Sequence, residues 1–415
     1  MEALFGLLLC MVVTPLGLLY SLIMLCKAPG HMRRWLPLLV YVLGVMAYSL
    51  NPFTEIDLIR YFYRAQEYGT LPLSRIFYDA SGLNQYDVMQ WVYVIWSWVV
   101  GQIGALHLLP MVTIMTVYGI AFYITADLAH RLQGEKYITF IVIAQLCMIP
   151  FLSVAANIRN VWAFSMIIMA VYLDLIKKEK NLIVLMLYIL PGFIHGSAFL
   201  LLLLRFLCQF GSKVFVPLFA GAIAFPKIID FLYGVGGIFS SFGAVGLFIN
   251  LSIIKLYWYL HDTGQSEWAE EVSNSLTQQV NRLVMVSFAV IACLLILFWV
   301  MKHLEKQYRP FLNFYLLLNI CIIAFTWFTV PHFWRLSAAS FVCVSIFLLP
   351  ILQKRKESGS LLMKLFPYIL LCYMMMGTLL QIWMTHYVVH PSEWLVDALT
   401  TNIFTIIFDI FEGIL

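Results

Sequence analysis

Apolar stretches follow one another along the chain with little interruption, and their lengths decide what the chain can be. Candidate spans cover residues 3–26, 35–51, 110–128, 137–155, 160–176, 213–233, 281–301, 311–330, 336–352 and 361–384. Most are close to the roughly 20 residues that a helix needs to cross a hydrocarbon layer about 30 Å thick. The first, from Ala3 to Cys26, is too long for a signal-peptide core and lacks a basic segment ahead of it, so it reads as a retained transmembrane helix. Two stretches are ambiguous: 88–109, VMQWVYVIWSWVVGQIGALHLL, and 181–210, which is broken by PGFIHGS. The tail, 394–415, is amphipathic, and the pattern leaves open whether it crosses. The expectation is an all-α polytopic membrane protein of about 11–13 transmembrane helices, a single integral membrane domain over 1–415.

Composition agrees. With 63% hydrophobic and only 11% charged residues among 415, no water-soluble fold of this length hides the apolar surface. A β-barrel would show short alternating segments instead of long continuous runs. The eight cysteines fall mainly inside apolar runs without paired spacing and read as small core residues, signalling neither a disulfide framework nor a metal site.

Charge placement predicts topology. Lys27/Arg33/Arg34, Arg131/Lys136, Lys177/Lys178/Lys180, Lys302/Lys306/Arg309 and Lys354/Arg355/Lys356/Lys364 should all face the cytoplasm. Counting 88–109 as a crossing would put Lys177 to Lys180 outside. Laying it along the membrane surface brings every basic cluster inside, and Trp91, Tyr93, Trp96 and Trp98 suit the headgroup layer. Residues 52–109 are thus expected to form a large first external loop with two interfacial helices, and 234–280 a second external region. Residues 181–210 fit two short helices meeting at Pro191-Gly192, with His195 at the junction. On the outer side or at membrane depth stand seven arginines (60, 64, 75, 159, 205, 282, 335) but only two lysines (227, 255). Positive charge there opposes the usual bias, and the guanidinium fork suits phosphate. A phosphate-bearing ligand outside is the economical reading; the bland one is that individual arginines snorkel or pair with acids.

Four motifs carry candidate chemistry. In TEIDLIRYFYR, Asp57, Arg60, Tyr61 and Arg64 share one helix face by spacing. A carboxylate there could take a proton from an attacking sugar hydroxyl, with arginine nearby to balance charge or grip a phosphate. Glu55 is the rival base, and Thr54 with Asp57 also fits a plain capping box. SVAANIRNVWAF sets Arg159 between Asn157 and Asn160 in a tight external turn, where phosphate binding competes with a headgroup contact. PGFIHGSAF leaves His195 and Ser197 in a helix break, and an ionisable residue within a membrane segment is a site hypothesis, although many lone histidines are satisfied buried residues. TVPHFWRLSAA holds His332, Trp334 and Arg335, suited to sugar stacking beside an anion, or to an aromatic belt with a snorkelling arginine. Arg282, at the start of its span, is a further anion-binding candidate, whereas Arg205 lies in an apolar run and reads as structural. Phosphate-loop, zinc-protease and nucleophile-elbow motifs are all missing from the sequence.

Taken together, D57-L-I-R60-Y61, N157-I-R159-N160, H195-G-S197-A198 and the late R335 resemble EpsG-like membrane proteins, the Wzy-type polymerases of exopolysaccharide, capsule or O-antigen repeat units. The resemblance covers roughly 35–350 and rests on short motifs. It also suggests kinship with GT-C glycosyltransferases, whose first external loop carries acidic residues similar to E55-I-D57, though no region here is long enough for their added soluble domain. It implies transfer of a glycan from an undecaprenyl-pyrophosphate donor to the terminal hydroxyl of a lipid-linked acceptor. On that reading Asp57 or Glu55 is the base, while Arg159, Arg335, Arg60, Arg282, Asn157, Tyr61 and His195 bind substrate or pyrophosphate. No metal or other cofactor is implied. The partners would be lipid-linked oligosaccharides, membrane lipids and a chain-length regulator, with no nucleic acid, at the outer face of a bacterial plasma membrane. The rival readings are a single-sugar transferase using a polyprenyl-phosphate carrier and a flippase of lipid-linked sugars; product length and the effect of Asp57→Asn distinguish them.

Overall fold

A computed structural model describes residues 2–52, 57–76, 90–261, 276–328, 335–355 and 361–414, and among them every regular element is helical. In chain order the helices are α1 (Glu2–Val12), α2 (Thr14–Lys27), α3 (Met32–Tyr48), α4 (Asp57–Gly69), α5 (Trp91–Ile103), α6 (Leu108–Arg131), α7 (Ile138–Met148), α8 (Phe151–Ala156), α9 (Ile158–Tyr172) and α10 (Leu182–Ile189). They continue with α11 (Ala198–Leu207), α12 (Phe215–Gly234), α13 (Gly243–His261), α14 (Leu276–Leu295), α15 (Arg309–Phe328), α16 (Arg335–Val342), α17 (Ser345–Lys354), α18 (Leu361–Val388), α19 (Pro391–Thr400) and α20 (Ile403–Ile414).

The chain is an all-α polytopic membrane protein. Six helical stretches among the described residues are long and apolar enough to cross a membrane, or eight if each bent pair counts as one span. That is fewer than the 11–13 crossings anticipated, because several apolar runs are divided. The run 3–26 is two helices parted at Val13, shortly before Pro15. The run 137–155 breaks at Ile149-Pro150, where Ile149 turns extended as a residue preceding proline should. Residues 336–352 bend by 49° between α16 and α17, and the tail bends by 92° between α19 and α20. The expected break near Pro191 is present: α10 ends in a single 3-10 turn, Leu190–Phe193, and α11 begins only at Ala198. The region 234–280, expected as a second external region, holds the 19-residue α13.

Contacts divide the chain into two units, 1–198 with 341–415, and 199–340. In the first, α6 is the central post, packed by α3, α7, α8, α9 and α17. Most of it is buried, with Leu109, Ile114, Val117, Phe122, Ile124 and Leu128 fully or nearly enclosed, while Tyr123 stays exposed. Gly44 of α3 lets that helix lie directly on Met115.

Broken helices in an apolar setting leave backbone groups that water cannot reach. Two glutamines meet that need. Gln381 of α18 accepts from the Phe151 N–H at 3.2 Å and donates to the carbonyls of Cys147 and Leu146 at 2.7 and 3.2 Å, closing the α7–α8 break. Tyr118 adds a bond to the Ile149 carbonyl at 3.0 Å. Buried Gln145, held by Thr125 at 3.0 Å, points its amide at the Phe341 and Val342 carbonyls at 3.4 and 3.3 Å, where α16 gives way to α17.

In the second unit, α15 packs against both α12 and α14, and α13 against α12. The chain reverses from α11 into α12 at Gly211, whose φ of 60° suits glycine alone. Asn313 of α15 donates to the Cys208 carbonyl beside that turn at 3.4 Å.

Candidate active site

The candidate site grows from the α4–α5 pair. Leu58, Tyr61, Ala65 and Tyr68 recur every three or four residues and form the buried stripe of α4. They face α5, which runs in the same direction: the Tyr61 and Tyr93 rings meet at 5.7 Å near one end, and Gly69 meets Gly101 near the other. A Cβ on Gly101 would land on the Ala65 carbonyl oxygen, so only glycine permits this approach. Trp98 ties the far end by donating to the Leu71 carbonyl at 2.9 Å, and Gln102 donates to the Gly69 carbonyl. At 13 residues, α5 spans about 20 Å, short of a hydrocarbon core.

The α7–α8 break feeds into this pair. Six-residue α8 ends at Asn157, and α9 starts immediately with Ile158 and Arg159. The half-buried Arg159 reaches the α4–α5 pair, donating from Nε to the Tyr61 hydroxyl at 3.3 Å and from Nη1 to Gln90 Oε1 at 2.6 Å. Its guanidinium also lies 5.1 Å from the Tyr61 ring centre and 5.2 Å from that of Tyr93. These partners are a phenol, an amide and two ring faces. They orient the cation, and each ring adds a favourable cation–π contact. Burial pushes the Tyr93 pKa up, against the opposing pull of Arg159, so the phenol stays neutral.

The His195 break joins the same neighbourhood. The 3-10 turn preceding it packs against both α5 and α9, with Phe193 on Trp91 at 5.5 Å. His195 Nδ1 and the Ser197 hydroxyl share a 2.6 Å hydrogen bond, and the Ser197 N–H also points at that nitrogen at 3.3 Å.

The predicted residues fare differently. Tyr61, Asn157 and Arg159 come together in one place, with His195 on a neighbouring turn. Asp57 opens α4 at the edge of the buried stripe and pairs with Arg60 at 3.8 Å; the arginine side chain is 64% exposed. Of the four residues expected on one face, only Tyr61 turns fully inward, because the packed stripe is set by Leu58, Ala65 and Tyr68. Glu55 lies outside the described residues, as do His332 and Trp334. Arg282 and Arg335 belong to the second unit, on α14 and at the first turn of α16. Gln90, 6% exposed and bonded to Arg159, and Tyr93 as a cation-facing ring were missed. Tyr93 looked like part of an aromatic belt, and a lone glutamine next to an apolar run carries no sequence signal.

A family model described as the EpsG family matches residues 34–386, most of the chain and all of the elements that build the Arg159 cage. The chain belongs to the EpsG family. No curated protein and no solved structure matches. Membership in the EpsG family supports a polysaccharide-polymerase-like role in general.

Proposed function

We propose that this EpsG-family chain polymerises lipid-linked oligosaccharide repeat units at the outer face of a bacterial plasma membrane, as a glycosyltransferase. The observation that carries the reading is the caged Arg159, a half-buried cation oriented by Tyr61, Gln90 and Tyr93 on the helix pair that begins with Asp57. A guanidinium held this way is set to meet the negative charge that develops on a departing pyrophosphate, the kind of preorganised contact that lowers a barrier most.

In the proposed reaction the bond between the anomeric carbon and the undecaprenyl pyrophosphate oxygen breaks. The terminal hydroxyl oxygen of the acceptor forms the new bond to that carbon, and its proton passes to Asp57, with Glu55 as the rival acceptor. The electron pair leaves with the pyrophosphate, which Arg159 receives. Arg60, Arg282, Arg335 and His195 are further candidates for holding the donor, and a chain-length regulator is a candidate partner.

The test is reconstitution in lipid with purified lipid-linked repeat units, followed by gel separation of the glycan products. Wild type should give a ladder, Arg159→Ala should lose it, and Asp57→Asn should lose it with folding intact. Indistinguishable ladders from wild type and Arg159→Ala would overturn the site, and addition of one sugar only would replace polymerase by single-sugar transferase.

A further inference from the structure

Asn157 and Asn160 flank Arg159 at the start of α9, and both are more than nine-tenths buried. The Asn157 amide nitrogen donates to the Ser153 carbonyl at 2.9 Å, which settles which end of that side chain is oxygen. Asn157 occupies the N-cap position of α9, yet its side chain makes no capping bond. Its Oδ1, like the Oδ1 of Asn160, has no hydrogen-bond partner among the described residues. Two unsatisfied buried acceptors three residues apart, flanking Arg159 along the chain, call for an explanation, because folded proteins rarely leave such atoms unpaired.

The chemistry of the two oxygens is one-sided. An amide oxygen accepts and never donates. A lipid pyrophosphate near neutral pH presents acceptors as well, so these atoms repel the group that Arg159 attracts. Saccharide hydroxyls and acetamido N–H groups are donors, and they sit next to the pyrophosphate in any lipid-linked sugar. We infer that Asn157 and Asn160 recognise donor groups on the sugar attached directly to the pyrophosphate, and so contribute to sugar specificity, not to phosphate binding. The inference rests on the proposed function above. Both oxygens are covered by protein, so a side-chain rotation accompanies recognition.

Two probes separate the roles: undecaprenyl pyrophosphate without sugar, and the lipid-linked repeat unit extracted from the source cells. Binding of each to the full chain in nanodiscs is measured for wild type, Asn160→Leu and Asn160→Asp, with thermal unfolding confirming that the variants fold. Asn160→Leu should lower the preference for the sugar-bearing probe about tenfold while leaving the bare pyrophosphate unchanged. Asn160→Asp, which still offers an acceptor at the same place, should keep that preference. Equal weakening of both probes by Asn160→Leu, or an unchanged preference, would overturn the inference. Failure of wild type to bind bare lipid pyrophosphate would instead sink the polymerase reading itself.

Discussion

Replacing Gln90 by glutamate changes one atom type and one charge in the Arg159 cage, and the geometry allows the outcome to be worked out. Gln90 Oε1 already accepts from Arg159 Nη1 at 2.6 Å, so the new carboxylate can keep that bond. With an effective dielectric constant of about 20, Coulomb's law gives the pair an attraction of about 6 kcal/mol at this separation, before desolvation takes most of it back. The cage should therefore stay folded, with an unchanged or raised unfolding temperature. A phosphate on the far side of the guanidinium would then feel a carboxylate about 6–7 Å away, a repulsion of about 2.5 kcal/mol on the same scale. Affinity for undecaprenyl pyrophosphate should fall by roughly seventyfold, and the glycan ladder with it. The assay is titration of the lipid into nanodisc-held protein, beside a thermal melt. A folded Gln90→Glu variant with wild-type affinity would refute the claim that Arg159 serves through its charge in this position.

Three further outcomes follow from the geometry. Gln381→Leu strands the Phe151 N–H and the Leu146 and Cys147 carbonyls, and should cost about 2–4 kcal/mol, read as a lower unfolding midpoint in detergent. Gly101→Ala drives a methyl into the Ala65 carbonyl and should cost about 1–3 kcal/mol while parting α4 from α5; loss of ladder formation together with a lowered midpoint checks it, and a neutral variant would contradict the close approach. His107, just ahead of α6 and packed by Tyr48 and Phe62, has its pKa lowered from 6.5 by burial, against the pull of Asp409. A histidine kept neutral in the fold contributes stability that is full above about pH 6.5 and is lost as pH falls below it; His107→Gln should flatten the dependence of the unfolding midpoint between about pH 7 and 5.

The run lengths of apolar residues were enough to specify a polytopic helical membrane protein, since nothing else accommodates them. They also placed most helices within a few residues: α6, α12, α15 and α18 lie where the pattern put them. Pro191-Gly192 showed in advance where a helix would stop, because proline acts on its immediate neighbours, whereas 137–155 was read as one span although the helix breaks at Ile149-Pro150. The pattern could not show that the first run would divide at Val13, nor that Gln145 and Gln381 would repair breaks on other helices, since those bonds join residues some 200 positions apart or more. Arg159 was legible as a site residue because a tight external turn between two spans needs small or polar residues but not an arginine. Its cage was not, because Tyr61, Gln90 and Tyr93 are near it only through the packing of α9 on the α4–α5 pair. Local chemistry and hydrophobic length are properties of neighbours along the chain, so the sequence carried them. Which neutral groups would orient the cation was left to the meeting of distant segments, and only the tertiary structure decided it.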